Sequence, residues 1–221
     1  MKAKGKIILE LSVAYAVLAL IVYFTPGWVV YGHSTAEKML LTLVPYLLML
    51  CWVGCVIGVT HQPLWPTLGV SNRSFTRQIG VGLVFFLLLS VIFIVAPLLL
   101  GVDRTQLLSF KARSLGILIF YVIYDWVLVG LGEELIFRGY FYERLKKLTD
   151  SGVWTVFLSA ILFGLFHFPL HQNWLQVGMT TLLGVLFGLV RWRIRGGSTL
   201  ATGIAHGLYD SLLQILSYLL L

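Results

Sequence analysis

The sequence predicts an all-α, polytopic transmembrane helix bundle of about seven spans, eight if the fourth hydrophobic region is broken, with a cytoplasmic N-terminus. Three observations carry this expectation. Of 221 residues, 59% are hydrophobic and only 11% charged, with a mean hydropathy of +0.93, against about 25% charged residues in an average soluble domain. Apolar runs recur at roughly the 20-residue length needed to cross a bilayer at about 1.5 Å per residue. The intervals between them hold charges or turn-forming proline and glycine. The composition excludes a soluble globular enzyme, a disordered chain and an ordinary nucleic-acid-binding module. The lipid bilayer is the expected surrounding, and no nucleic-acid partner is expected.

The first apolar run covers about 7–24 and stops at Thr25, Pro26 and Gly27. Lys2, Lys4 and Lys6 precede it, as in a signal peptide, but the run exceeds a typical h-region and no cleavage site follows, so a retained span is expected. The second run, 39–59, ends before Pro63 and Pro66, and the third covers 79–100. A fourth begins near 114 and ends within the charged stretch after 131. The fifth spans 152–168, the sixth 174–192, and the seventh 199–221 after Gly196 and Gly197. With no internal repeat or low-complexity tract, the reading is a single integral membrane domain, 1–221. Within it, residues 1–113 form N-terminal helices and 114–221 a core. Cys51 and Cys55, one helical turn apart in an apolar run, read as small hydrophobes. Trp65, Trp174 and Trp192 read as interfacial anchors.

The formal charge of +7, from 16 Lys+Arg against 9 Asp+Glu, is a topology signal before it is a binding patch. A cytoplasmic N-terminus puts Lys2, Lys4, Lys6, Arg73, Arg77, Arg138, Arg144, Lys146, Lys147, Arg191, Arg193 and Arg195 inside. It leaves Lys38, Arg104, Lys111 and Arg113 outside. That imbalance follows the positive-inside rule, places the C-terminus outside, and with the compact length suggests a multi-pass protein of a bacterial plasma membrane.

Ionisable residues inside spans are costly and face protein or water-filled cavities, so they are the first candidates for chemistry. They are Glu10, Asp125, Glu133, Glu134, Arg138, His167, His206 and Asp210. Glu10, a turn after Lys6, reads as snorkelling or locally paired; Asp125 has no assigned partner, and His171 reads as interfacial. The rest converge. A tight turn near Asp150 makes the fourth and fifth spans an antiparallel hairpin. Glu133 lies 17 residues before that turn and His167 17 after it, both about 25 Å along neighbouring helices. His206 and Asp210 lie roughly 15–20 Å into the seventh span. All four meet if the fourth and fifth helices protrude into the cytoplasm or kink at Gly130 or Gly132. Glu134 and Arg138 are spaced i,i+4 with the acid first, the favourable order for an ion pair. Glu133 points about 100° away, without a local cation, as suits a general base or acid. His206 and Asp210 share a face, also at i,i+4. Two histidines with a carboxylate can activate water directly or through zinc, and donors on the last helix can stabilise an oxyanion.

Glu133, Glu134 and Arg138 in GEELIFRGYFYERL, Phe163 and His167 in FGLFH, and His206 and Asp210 in HGLYD resemble the EExxxR, FxxxH and HxxxN/D motifs of the CPBP family. These are the CAAX-protease and bacteriocin-processing, or Abi, intramembrane proteases. The motifs span about 133–210; the first three spans match only as generic membrane helices. The resemblance implies an intramembrane endopeptidase with a cavity open to the cytoplasm. It implies that Glu133 and His167 activate water, that His206 and Asp210 bind the oxyanion, and that Glu134, Arg138 and Phe163 support the site. Asp210 stands where prenyl-protein endopeptidases carry Asn; a carboxylate donates only when protonated, so orienting His206 is the competing role. The expected partners are a protein or peptide substrate at the membrane, prenylated or otherwise membrane-associated, and the bilayer.

No HExxH helix occurs, so no cofactor is firmly expected. If the enzyme is metal-dependent, Glu133, His167 and His206 are the expected ligands of a divalent ion such as zinc. The rival from another class is a transporter or immunity-type peptide-binding protein using the same polar cluster without cleavage, although no repeat of the transporter kind is present.

Overall fold

The computed structural model describes residues 2–70, 74–108 and 112–221. Arg73 and Lys111, counted above, lie outside the described residues. Seven long helices fill the described chain: α1 (Lys2–Val30), α2 (Thr35–Val59), α3 (Phe75–Leu99), α4 (Leu115–Thr149), α5 (Gly152–Phe166), α6 (Trp174–Arg193) and α7 (Thr199–Leu220). Short helical turns at Leu64–Thr67, Arg104–Leu107 and Phe168–His171 link them. No strand occurs among the described residues.

Local chemistry starts these helices where they start. Ser34, Ser74, Ser114, Ser151, Asn173 and Ser198 cap α2 to α7 in turn, each side chain accepting from a backbone N–H of the first turn. That satisfies donors that would otherwise be left unpaired at a helix end. Ser34 with Glu37 forms a full capping box.

Two boundaries differ from expectation. Helix α1 does not stop at Thr25 and Pro26 but runs through both to Val30. The Thr25 hydroxyl bonds back to the carbonyl of Ile21 at 2.9 Å, one of the local adjustments that let a membrane helix tolerate proline. The fourth region is not broken: α4 runs continuously over 35 residues, which excludes an eighth span from a split there. It absorbs its length through π-helical stretches at Asp125–Leu131 and Leu135–Phe141, with Gly132–Glu134 between them. Such wide turns recur at functional sites, and here the two glutamates sit between a pair of them.

Among the described residues six helical stretches are long and apolar enough to cross a membrane: α1, α2, α3, α4, Gly152–Leu170, which takes in α5 and most of the short helix after it, and α6. The seventh expected span, α7, has 22 residues but is less apolar because it packs inside the bundle, burying Thr199, Thr202, His206, Ser211 and Ser217. The outward surface is apolar, with Leu9, Val59, Leu87, Leu99 and Leu175 all exposed. A face of this kind belongs against lipid, and the molecule is an integral membrane bundle.

The helices alternate in direction, so each end of the bundle gathers one set of termini. At one end Lys4 pairs with Asp150 at 3.2 Å, Lys147 donates to Gln62 at 3.1 Å, and Arg191 reaches the Gly69 carbonyl at 3.5 Å. Lys6, Arg77, Arg144, Lys146, Arg193 and Arg195 belong to the same end, hereafter the basic face. The opposite end holds Lys38, Arg104 and Arg113, with Arg104 donating to the carbonyl of Leu220 at 3.5 Å. Among the described residues the asymmetry therefore survives; Arg138 alone leaves the count, being wholly buried at mid-bundle.

Candidate active site

Close helix approach builds the site. Gly130 of α4 lies against Gly207 of α7 so tightly that a Cβ at Gly130 would collide with the Gly207 backbone. Small residues permit such contact between membrane helices, and it carries Glu134 of α4 to His206 of α7. Gly164 of α5 similarly leaves room for Thr181 and the Val177 carbonyl of α6. The α4–α5 hairpin turns at Asp150, which adopts a left-handed conformation with φ 54°.

The equal-depth expectation for Glu133 and His167 holds: His167 Nε2 lies 3.9 Å from Glu133 Oε2. The other Glu133 oxygen accepts a 2.7 Å hydrogen bond from the Tyr46 hydroxyl. Glu133 is buried, and its Oε2 has no hydrogen-bond partner among the described residues. His167 caps the C-terminal end of α5, and its Nδ1 lies 2.9 Å from the Phe163 carbonyl. Because a carbonyl only accepts, Nδ1 carries the proton, which in the neutral ring leaves the Nε2 lone pair facing Glu133.

A second pair lies behind the first. Glu134 and Arg138 form the expected ion pair at 2.9 Å, both side chains wholly buried. Glu134 does more than brace its own helix, since the same Oε1 lies 3.4 Å from His206 Nδ1. His206 Nε2 in turn lies 3.3 Å from Asp210 Oδ2. The sequence thus yields a chain from Arg138 through Glu134 and His206 to Asp210. Phe163 links the two halves: its ring centroid is 4.9 Å from that of His167 and 6.0 Å from that of His206. The Arg138 guanidinium stacks 4.1 Å above it, and Phe187 stacks on His206 at 5.2 Å.

Some placements were not foreseen. Tyr46 had no signal in sequence, being one tyrosine in an apolar run outside the motif region. Phe187 was equally silent. Asp125 is buried in the π-helical stretch of α4 that packs on α7, and its Oδ2 has no hydrogen-bond partner among the described residues. Glu10 pairs not with Lys6 but with Arg144 across the α1–α4 interface, and the Tyr140 hydroxyl donates to it at 2.9 Å. His171 ends the short helix Phe168–His171.

Glu133 and His167 line a cavity of about 380 Å³, shared with Val22, Thr25, Thr42, Pro45, Tyr46, Met49, Tyr121, Tyr124, Val129, Phe166 and Leu170. His206 and Asp210 do not line it. The size falls in the range of small-ligand sites, about 300–1,000 Å³, and its walls are apolar and aromatic around one carboxylate and one imidazole.

The donor set does not fit a zinc ion. Both His206 nitrogens face carboxylates, His167 Nδ1 is held by a backbone carbonyl, and no group of three His, Cys, Asp or Glu residues converges on one point among the described residues. Zinc needs three or four such donors at about 2.0–2.3 Å.

Residues 115–212 match the family model described as Rce1-like, type II CAAX prenyl endopeptidase. No curated protein and no solved structure matches the chain. The matched segment begins at α4, ends in α7, and contains Glu133, Glu134, Arg138, Phe163, His167, His206 and Asp210. By that segment, the chain is similar to the CPBP family of CAAX-type intramembrane proteases.

Proposed function

We propose that this protein is an intramembrane endopeptidase of membrane-associated polypeptides, in which Glu133 and His167 activate the attacking water. The observation that carries the reading is the pairing of Glu133 Oε2 with His167 Nε2 at 3.9 Å at the inner end of an apolar cavity. That separation is too long for a direct hydrogen bond and suits one bridging water. Such a water would give a proton to the carboxylate while its oxygen attacks the peptide carbonyl carbon, and the proton would pass on to the departing amine. His167, fixed by Phe163, holds the water by its free nitrogen lone pair. Asp210 fits an orienting partner of His206 better than a donor to the oxyanion, because His206 Nε2 already faces it. Glu134, Arg138 and Phe163 support this arrangement. The basic face supports a cytoplasmic N-terminus in a bacterial plasma membrane.

The test is cleavage of a membrane-peptide library by purified wild type and Glu133→Gln in detergent, with and without a zinc chelator. Glu133→Gln keeps the size and the Tyr46 bond, so folding should survive while turnover falls by roughly 10²–10⁴. Chelator-resistant cleavage is expected. Undiminished cleavage by Glu133→Gln would remove the central claim, and loss on chelation would reinstate a metal-bound water.

A further inference from the structure

A second cavity, of about 770 Å³, lies at the basic end of the bundle between α1, α2 and the last turns of α4. Helix α1 lines it with Lys6, Leu9, Glu10 and Val13, and antiparallel α2 with Trp52, Cys55, Val56 and Val59. Each set is spaced i, i+3, i+4, i+7, which is one helix face, so the two faces form a groove running about 10 Å along the helices. Leu9, Val13, Cys55 and Val59 are exposed, which turns the groove toward lipid. Its polarity is graded. Lys6, Glu10, Gln62 and Arg144 gather at the mouth, while the deep end is made by Val13, Cys55, Val56 and Trp52. The Trp52 indole N–H is already bonded to the Ala14 carbonyl at 3.2 Å.

The mouth carries positive charge that the protein does not neutralise. Among the described residues the basic face holds three carboxylates, and each is in an ion pair: Glu10 with Arg144, Glu143 with Arg191, and Asp150 with Lys4. Lys6 is left without a carboxylate partner, and Lys147 donates to the neutral amide of Gln62 at 3.1 Å. The same Gln62 oxygen accepts from Arg144 at 3.3 Å. Cations near a membrane surface attract anionic headgroups, and an apolar groove beneath them matches hydrocarbon. A free phosphate would meet the lysines and leave the apolar walls bare, whereas a zwitterionic lipid would bring a cation of its own to them. We propose that this groove binds one anionic phospholipid from the leaflet at the basic face, with its phosphate beside Lys6 and Lys147 and an acyl chain against Leu9, Val13, Cys55 and Val59. Bound there, the lipid ties α1 and α2 to the end of α4, the helix that carries Glu133. The site does not depend on the endopeptidase reading.

The full chain, purified in detergent, is titrated with phosphatidylglycerol and with phosphatidylcholine of the same acyl chains, and native mass spectrometry reads the first lipid bound. The attraction of each basic residue to an anionic headgroup corresponds to roughly fivefold in affinity, so the two lysines should favour phosphatidylglycerol by roughly twentyfold to thirtyfold. Lys6→Gln and Lys147→Gln should each weaken phosphatidylglycerol binding by roughly fivefold, leave phosphatidylcholine unchanged, and together abolish the preference. Cys55→Trp fills the groove, keeps every charge, and should weaken phosphatidylglycerol binding by about tenfold or more. All three side chains are exposed, so unfolding midpoints without added lipid should match wild type. Phosphatidylglycerol should then raise the midpoint of wild type but not of the double lysine variant. Equal affinity for the two lipids overturns the proposal, as does a preference that survives the double variant. A preference untouched by Cys55→Trp places the lipid outside the groove and also overturns it. Stabilisation by water-soluble glycerol phosphate equal to that by phosphatidylglycerol would leave a simple anion site in place of a lipid site.

Discussion

At Glu133 the two carboxylate oxygens have different surroundings: one is held by the Tyr46 hydroxyl at 2.7 Å and the other faces His167. A hydrogen bond to a charged group contributes about 1.5–3 kcal/mol. Removing it leaves Glu133 free to rotate away from the water it must receive. Tyr46→Phe should therefore lower kcat/KM by roughly tenfold to a hundredfold while thermal unfolding stays near that of wild type. A kcat/KM equal to wild type would show that the cavity wall positions Glu133 without the phenol. The spacing of Glu134 and Arg138 announced their ion pair, because i,i+4 neighbours meet on any helix. Tyr46 was invisible because nothing in α2 marks which of its apolar turns will face α4.

Between elements, the decisive contact is α4 on α7. The motif glutamates reach His206 only because Gly130 and Gly207 let the two backbones approach. Gly207→Val would drive a branched side chain into Trp126 and its backbone, an overpacking that costs about 1–3 kcal/mol or more. A lowered unfolding midpoint in detergent together with lost activity is the expected result; unchanged values would mean that α7 can shift without disturbing His206. The π-helical stretches flanking Gly132–Glu134 belong to this scale too. Their register departs from the 3.6-residue repeat on which sequence periodicity rests, so a kink at glycine was the nearest expectation available.

Over the whole molecule, the N-terminal helices are tied to the motif-bearing core by polar contacts buried in the bundle. Tyr15 donates to the Leu162 carbonyl at 3.0 Å, and Glu10 pairs with Arg144 and Tyr140. Breaking one member of a buried ion pair costs about 3–5 kcal/mol, whereas replacing both by apolar groups of similar volume is often neutral. Glu10→Met should accordingly destabilise the bundle by that order, and Glu10→Met with Arg144→Met should recover most of the loss in chemical or thermal unfolding. A double variant as unstable as the single one would assign Arg144 a separate partner, with Gln62 the nearest candidate at 3.3 Å.

Composition and run lengths alone determined a membrane bundle, because water cannot solvate that much apolar surface and lipid can. Motif spacing and equal distances from the Asp150 turn brought Glu133 to His167, since helix rise is constant enough to count with. The tertiary structure alone decided that Glu134 is shared between Arg138 and His206, that Tyr46 holds Glu133, and that Glu10 pairs with Arg144. Each depends on the rotation of one helix against another, which is set by glycine contacts and wide turns rather than by local pattern.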